Sequence, residues 1–513
     1  MVSESEPRLI ESPFWNRCFQ ICGPGLGIAT ALLLPDSYQA PGGEQLPVDL
    51  AIRGTLGVLV WMAVWWLTQC LPLWLTALLP LLVFPLLGVA TPGRILAAYI
   101  DPTIRLFLAG FLLSAAISRW KLGERLSLLV LRAVGSRPRN LVAGLMLVTA
   151  LISAFVSNAA TTAIMLPIAV SLVSLVREQR TDSPATARAF GTSCLLGVAY
   201  SASIGGLATL LGSPPNLLLA GFLRNLPDSG SRVDLTFVRW LGIGLPVTLV
   251  LLPLCWWLLT CRLFRLPVDR VEAAETAVAE RLRQLGPLSR AELATLCCFL
   301  VAIFFWVCSP WLRTISIAWG DRSIQPFSWT SDWIVGALAV TMLLLWPVSR
   351  RPLTFALEWP DLRRVPWSVL ILFGGGLALS AAMTETRADR FLAAGLGMLQ
   401  DWPRPAAILL FIIAVIFFTE IASNTATVAT ALPIFGALAE TWNMPAVYLA
   451  VPITFAASCA YMLPVGTPPN AIVFASGLVS SRDMIRAGWW LNWISIAVIG
   501  LLSKSLIEWF VLS

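Results

Sequence analysis

Four short polar clusters interrupt apolar stretches of this chain, and their residue types suit ion binding. Ser157-Asn158-Ala159-Ala160-Thr161 precedes Leu166-Pro167-Ile168, and Ser423-Asn424-Thr425-Ala426-Thr427 precedes Leu432-Pro433-Ile434. Each is followed by a second cluster, Gly212-Ser213-Pro214-Pro215-Asn216 in one case and Gly466-Thr467-Pro468-Pro469-Asn470 in the other. Asn158 and Asn424 each offer an amide oxygen to a cation and an NH2 to a carboxylate, while Ser157, Ser423 and Thr425 can donate or accept. Two consecutive prolines in an apolar run remove two amide donors, disturb the helix and leave carbonyls one turn earlier without partners. Such a break presents carbonyl oxygens and the hydroxyl of Ser213 or Thr467 to a hard monovalent cation such as Na+. The helix start after it presents amide donors to an anion. No Arg or Lys falls within about one helical turn of either Ser-Asn tip. Neutral ligands suit an anion carrier, because a fixed buried cation is costly to desolvate and holds the anion too tightly, so a bound sodium can supply the positive charge instead.

A lone Ser-Asn or Pro-Pro in a membrane helix is usually a kink or an interhelical hydrogen bond. Both motifs, in order and in both halves of the chain, are not explained that way. Glu420, three residues before the second tip in a strongly apolar arm, has three readings: a tuner of the outer gate, a proton carrier, or a carboxylate hydrogen-bonded to nearby backbone.

Composition sets the surroundings of these clusters. The 513 residues are 58% apolar and 12% charged, about half the charged fraction of a soluble domain, with a mean hydropathy of +0.80 and no histidine. The chain is therefore a membrane protein, and imidazole bases, Ser-His-Asp triads and His-ligated metals are excluded unless a partner supplies them. A membrane-embedded enzyme would need a nucleophile with a base, or a metal cluster, and Glu420 is the only carboxylate near a motif. The ten Cys sit in or beside apolar runs without a CxxC pair, as small packing residues rather than a disulfide or zinc framework. Glu4, Glu6 and Glu11 precede the first apolar run where a signal peptide would be basic, so none is expected. The 23 Trp read mainly as an interfacial belt and packing residues; Trp65-Trp66, Trp256-Trp257 and Trp489-Trp490 fall near expected span ends.

Apolar runs near 20–35, 54–70, 72–89, 104–118, 187–222, 237–261, 294–312, 333–348, 367–384, 445–478 and 488–511 predict eleven spans of an all-α polytopic protein. Two further runs, 141–176 and 405–438, carry the Ser-Asn clusters at their middles and predict re-entrant hairpins with tips at mid-membrane. With a cytoplasmic N-terminus this arrangement places 23 basic residues inside, 11 outside and Lys504 in the last span, which leaves the C-terminus outside. The inside set includes Arg119, Lys121, Arg125, Arg132, Arg137 and Arg139, and later Arg262, Arg265, Arg270, Arg281, Arg283 and Arg290. Counting the hairpins as full spans would move the Arg262–Arg290 loop outside, so the positive-inside rule favours hairpins. The net charge of +7 follows from these loops and calls for no nucleic-acid partner.

The clusters also define a repeat. Residues 157–168 match 423–434 at eight of twelve positions, and Gly110 with Ser114-Ala115-Ala116 matches Gly376 with Ser380-Ala381-Ala382, both at an offset of 266. The two Pro-Pro motifs are offset by 254. We therefore expect N-terminal helices over 1–90, a first repeat over 91–262, a linker over 263–293 and a second repeat over 294–513. The two hairpins open to opposite faces, which makes the repeats inverted, as in secondary transporters. A channel would lack the double gate that inverted hairpins imply.

At these residues the chain resembles the divalent anion:sodium symporter family of dicarboxylate, citrate and sulfate carriers. Its signature is a Ser-Asn-Thr motif at each of two hairpin tips followed by a Ser/Thr-Pro-Pro-Asn break. The resemblance covers nearly the whole chain. It implies a homodimer with a scaffold domain and a transport domain that moves by an elevator displacement. It implies one sodium at Ser153, Ser157, Asn158 and Gly212, and a second at Thr419, Ala422, Asn424 and Gly466. Substrate carboxylates would be held by Ser157, Asn158, Ser423, Asn424, Thr425, Ser213 and Thr467. The first tip departs from the signature, because Ala159 stands where the family carries Thr. One lost hydrogen bond to a charged ligand is worth about 1.5–3 kcal/mol, so the departure bears on substrate identity rather than fold. The expected activity is Na+-coupled symport of a divalent organic anion, with C4-dicarboxylates such as succinate or malate first. A sulfate or tricarboxylate symporter and a Na+-independent exchanger are the alternatives. Few Lys, many Arg and short loops fit a bacterial inner membrane.

Overall fold

The computed structural model describes residues 13–39, 44–179, 184–226, 232–266, 272–319, 322–396, 399 and 402–512. The acidic residues Glu4, Glu6 and Glu11 and Arg270 of the linker lie outside them. Among the described residues the protein is all-α, apart from three two-stranded antiparallel β-hairpins in the connections. Among the described residues, seven helices are long and apolar enough to cross a membrane, and several shorter apolar helices accompany them.

Both expected hairpins form as helix–turn–helix units. The first has arms Pro138–Ser153 and Asn158–Gln179, the second Arg404–Thr419 and Asn424–Thr441. An entry arm of 16 residues spans about 24 Å, short of the roughly 30 Å of a hydrocarbon core, whereas the exit arm of the first hairpin is itself one of the seven helices long and apolar enough to cross, over Asn158–Glu178. The turn forms because the Ser carbonyl starts a new helix: Ser157 O accepts from Thr161 N at 2.9 Å, and Ser423 O from Thr427 N at 2.8 Å. Pro167 and Pro433, the prolines of the two Leu-Pro-Ile motifs, sit inside the exit arms.

The runs 187–222 and 445–478 are broken helices, Pro184–Gly205 followed by Pro214–Arg224, and Val447–Ala457 followed by Pro468–Ala475. The breaks are loops over 206–213 and 458–467, and the double prolines occupy the first two positions of the helix after each loop. Proline fits there, since its missing N–H would have no intrahelical partner and its φ is already helical. The apolar run 72–89 is likewise divided, into Leu73–Thr76 and Leu79–Leu86, with Pro80 near the second start.

The halves interlock around the hairpins. The exit arm of the first hairpin packs on Pro468–Ala475 of the second broken helix, and by the same relation the exit arm of the second packs on Pro214–Arg224 of the first. Tyr200 and Tyr461 meet edge to face at 5.3 Å between the first broken helix and the second break.

The ion pairs sort the loops into two faces. Arg119 binds Glu358 and Asp361, Arg125 binds Glu292 at 2.6 Å, Arg281 binds Glu124 and Arg188 meets Asp483. These join only loops assigned to the inside by the charge count. Arg224 with Asp101, Arg94 with Glu385 and Arg390 with Glu440 join only loops assigned to the other face. Arg125 also donates to the carbonyls of Leu285, Gly286 and Pro287, which fixes the end of the linker helix Glu272–Leu285 against Leu122–Val134. The loops around Arg119–Arg139 and Arg262–Arg290 thus share a face, as re-entrant hairpins require.

Buried tryptophans are more numerous than a simple interfacial belt implies. Trp66, Trp240, Trp306 and Trp442 are enclosed, and each indole N–H donates to a backbone carbonyl: Leu73, Leu207, Asp332 and Leu399 respectively.

Candidate ion and substrate site

Each hairpin tip meets the break of its own repeat, and the two junctions share one pattern. Ser153 at the end of the first entry arm is fully buried; its hydroxyl lies 2.7 Å from Ala202 O and 2.8 Å from Asn158 Oδ1. Thr419 occupies the equivalent position and is equally buried, with its hydroxyl 2.9 Å from Ala457 O and 2.9 Å from Asn424 Oδ1. A hydroxyl, a tip amide and a carbonyl from the end of the broken helix therefore converge twice.

The first junction adds the Gly212 carbonyl. One side of the Asn158 amide faces Ser153 Oγ at 2.8 Å, Ala202 O at 3.1 Å and Gly212 O at 3.2 Å. With its nitrogen turned there, Asn158 donates to all three; with its oxygen there, it completes a cluster of four neutral oxygens. Oxygens crowded together repel unless a proton or a cation lies among them, and hard cations take such carbonyl, amide and hydroxyl ligands. The donor set fits Na+.

Glycine is required for this approach. A Cβ at Gly206 would lie 2.5 Å from Asn158 Oδ1, and one at Gly212 would lie 2.6 Å from Gly206 O. In the second break the residue equivalent to Gly206 is Ala460, and a Cβ at Gly466 would meet its methyl at 3.3 Å.

The expected residues divide by exposure. Ser153, Gly212, Ser213, Thr419, Ala422, Gly466 and Thr467 are buried, whereas Ser157, Asn158, Ser423, Asn424 and Thr425 at the tips are half-buried. The inner residues suit a desolvated ion and the tips a ligand that arrives from water. Ser213 and Thr467 both precede the double prolines in extended conformation; Thr467 Oγ1 accepts from Asn470 N, while Ser213 makes no such capping bond.

One expectation needs correction. The carbonyls ahead of the double prolines are not all left bare, because the final Asn of each motif reaches back to them. Asn216 Nδ2 donates to Gly206 O and Thr209 O at 2.8 Å each, and Asn470 Nδ2 to Ala460 O at 3.2 Å and Leu463 O at 3.0 Å. Both Asn are fully buried, and each acts as a clamp across its own loop. Sequence reasoning passes over them as ligands or supports, although their recurrence at the shared 254 offset is the available signal.

Glu420 takes the third of its expected readings. Its carboxylate accepts from Tyr461 N at 2.8 Å, from Met462 N at 3.0 Å, from Leu463 N at 3.1 Å and from Asn492 Nδ2 at 2.8 Å. Successive backbone amides of this kind form a concavity for an anion.

A family model described as the sodium:sulfate symporter transmembrane region matches residues 44–512. The chain belongs to the divalent anion:sodium symporter family. Among the relatives of this family member, the sodium-dependent dicarboxylate transporter SdcS of Staphylococcus saprophyticus is 34% identical over 487 residues, covering 93% of this chain and 89% of the relative. SdcS of Staphylococcus aureus strain USA300 is 32% identical over 462 residues, covering 88% of this chain and 86% of the relative. The crystal structure of the Alcanivorax borkumensis YdaH transporter is similar in fold, with a TM-score of 0.50 at 13% identity over 96% of this chain and 98% of that one. The family and these relatives are transporters, and the present chain is a multi-pass membrane transporter rather than an enzyme.

Proposed function

We propose that this protein carries a C4-dicarboxylate such as succinate or malate across the bacterial inner membrane together with Na+. The observation that carries this reading is the convergence of the Ser153 hydroxyl, the Asn158 amide and the Ala202 and Gly212 carbonyls, with its counterpart at Thr419, Asn424 and Ala457. In this reading Ser157 and Ala422, close in sequence to the tip amides, and the backbone carbonyl of Gly466 complete the two sites. Sodium at these places supplies the positive charge that a dianion needs in a pocket with no Arg or Lys at the tips. Ser157, Asn158, Ser423, Asn424, Thr425, Ser213 and Thr467 hold the substrate carboxylates through hydroxyl and amide donors. The names of the SdcS relatives support both the cation and the dicarboxylate.

In this reading the N-terminus is cytoplasmic, the C-terminus is outside and the protein works as a homodimer. The hairpins and broken helices move as one body, in an elevator displacement relative to a scaffold that includes the N-terminal helices within residues 1–90. The interlocked packing of exit arms and broken helices supports a single moving unit.

Purified protein in liposomes should accumulate labelled succinate under an inward Na+ gradient and not when choline replaces Na+. Equal uptake in choline, driven only by internal dicarboxylate, would make it an exchanger. Competition by sulfate or citrate stronger than by malate would move the substrate to those anions.

A further inference from the structure

We propose that Asp101 and Arg224 form a one-sided latch that favours the described position of the moving unit over its displaced position. The inference rests on the elevator reading above and adds the contact that biases it. Three observations carry it. The first is which bodies the pair joins. Pro102–Arg119, Arg290–Leu312 and Asp332–Leu345 pack on one another, and Trp367–Glu385 packs on Pro102–Arg119 and on the N-terminal helices Leu50–Thr68 and Leu73–Thr76. Together they make the static body against which the hairpins and broken helices move. Among the described ion pairs, that of Arg224 with Asp101 is the one that links a hairpin arm or broken-helix segment directly to this body. Arg125, Arg281 and Arg390 pair instead through Leu122–Val134, Glu272–Leu285 and Ala388–Gly395, helices that lie in the chain between the two bodies.

The second observation is a grip at two points. Asp101 is buried and caps Pro102–Arg119, accepting from Thr103 N at 2.8 Å. The same carboxylate binds Arg224, the last residue of Pro214–Arg224, and lies 3.4 Å from Asn225 Nδ2. Asp332, at the start of Asp332–Leu345, accepts from Phe237 N at 2.8 Å, the first amide of Phe237–Trp257, which packs on the broken helix Pro184–Gly205. The Phe237 ring is buried and stacked on Trp306 of Arg290–Leu312, with centroids 5.2 Å apart. Two carboxylates of the static body thus hold both ends of the connection 225–236, on the outer face.

The third observation is that the other repeat lacks the grip. At the 266 offset Trp367 stands in the place of Asp101, and at the 254 offset Leu478 and Val479 stand in the places of Arg224 and Asn225. The following helix, Ser481–Phe510, caps itself: Ser480 Oγ accepts from Asp483 N at 3.1 Å. Among the described residues the latch therefore has no copy on the inner face. Inverted repeats exchange conformations when access alternates, so matching ties on both faces would be neutral between the two positions. An unmatched tie favours the position that makes it. A charge-assisted hydrogen bond to a buried carboxylate is enough to bias that equilibrium by about tenfold.

A purely structural ion pair would change stability and leave the two positions equally populated as before, so the test reads position. Spin labels on p-acetylphenylalanine at Leu353 and Glu178, exposed on inner loops of the static and moving bodies, leave the ten Cys untouched. Distance distributions in liposomes, with and without Na+ and succinate, give the ratio of the two positions. Arg224→Ala and Asp101→Asn should each shift that ratio about tenfold away from the described position; Asn at residue 101 still caps its helix, so the fold is kept. The double variant should go no more than about twofold beyond Arg224→Ala, since both residues act through one bond. Arg224→Lys keeps the charge and should stay within about threefold of wild type. Arg188→Ala breaks an ion pair that lies wholly within the moving unit, with Asp483, and should leave the ratio unchanged. An Arg224→Ala distribution that overlays wild type overturns the latch, and so does an Arg188→Ala shift of equal size. The two levels fail differently. A single distance under every condition in both wild type and Arg224→Ala, with uptake intact, defeats the elevator reading itself, whereas two distances that Arg224→Ala leaves unchanged defeat only the latch.

Discussion

In the first half-site the loop over 206–213 lies against the hairpin through glycine: Gly206 lets the backbone approach the Asn158 amide, and the Thr209 hydroxyl ties the loop to Ala154 O. In the second, the loop over 458–467 has Ala460 at the position of Gly206 and Leu463 at that of Thr209, and Glu420 replaces the missing hydroxyl tie by binding three amides of the loop. Both solutions satisfy backbone groups that a broken helix leaves without partners in a place where water cannot satisfy them, which in lipid is obligatory. One uses close contact and neutral groups, the other a carboxylate. The repeats thus preserve the ligand-bearing geometry while the means of supporting it has diverged.

The largest expected effect tests what the halves share. Asn158→Ala and Asn424→Ala should each reduce Na+-driven succinate uptake to the level of empty liposomes, with the protein still eluting as a folded species. Wild-type rates in either would remove the tip amides from the site. The next test breaks the symmetry at the loops. Gly206→Ala forces its methyl toward the Asn158 amide and should cost about 1–3 kcal/mol in stability and most of the uptake. Ala460→Gly should cost only about 0.5–1 kcal/mol, the flexibility penalty of glycine, and leave transport largely intact. Equal effects of the two would mean that the loops are supported alike.

A smaller effect is expected where the tips differ in sequence. Ala159→Thr restores a hydroxyl at the position equivalent to Thr425 and should change the order in which malate, sulfate and citrate compete with succinate, by about tenfold or more. An unchanged competition profile would place residue 159 away from the substrate. The smallest effect is expected for Thr419→Ser, which retains the hydroxyl bonds to Ala457 and Asn424 and gives the second junction the same hydroxyl residue as the first. Uptake should stay within about fourfold of wild type, since a lone methyl contributes about 0.8 kcal/mol at most.

Much of this arrangement is legible in the sequence because it depends on polarity in an apolar setting. A Ser-Asn cluster at the centre of an apolar run is costly to bury unless it binds something, and its recurrence at a fixed offset locates both hairpins, both breaks and the residues that line them. The same signal does not reveal the extent of the breaks. Double proline marks where a helix begins as readily as where one fails, and the loops 206–213 and 458–467 are made of the same small apolar residues as their flanking helices. Asn216 and Asn470 are visible as residues but not as clamps, because their role depends on a chain reversal that brings carbonyls seven and ten residues earlier within reach. The short amphipathic helices Leu122–Val134 and Ala388–Gly395 carry charges among their apolar residues, so runs of continuous apolar sequence do not mark them. Glu420 stands out in its apolar arm, but its partners on the loop and on Ser481–Phe510 lie 41–72 residues away and no local pattern announces them.

The proposal that two cation junctions serve one dianion makes the dependence of initial succinate uptake on external Na+, in wild-type proteoliposomes, the decisive measurement. The expected curve is sigmoidal with a Hill coefficient approaching about 2, since in this reading two sodium ions bind for one substrate to move. A hyperbolic curve with a coefficient of about 1, or uptake independent of Na+, would contradict the paired junctions.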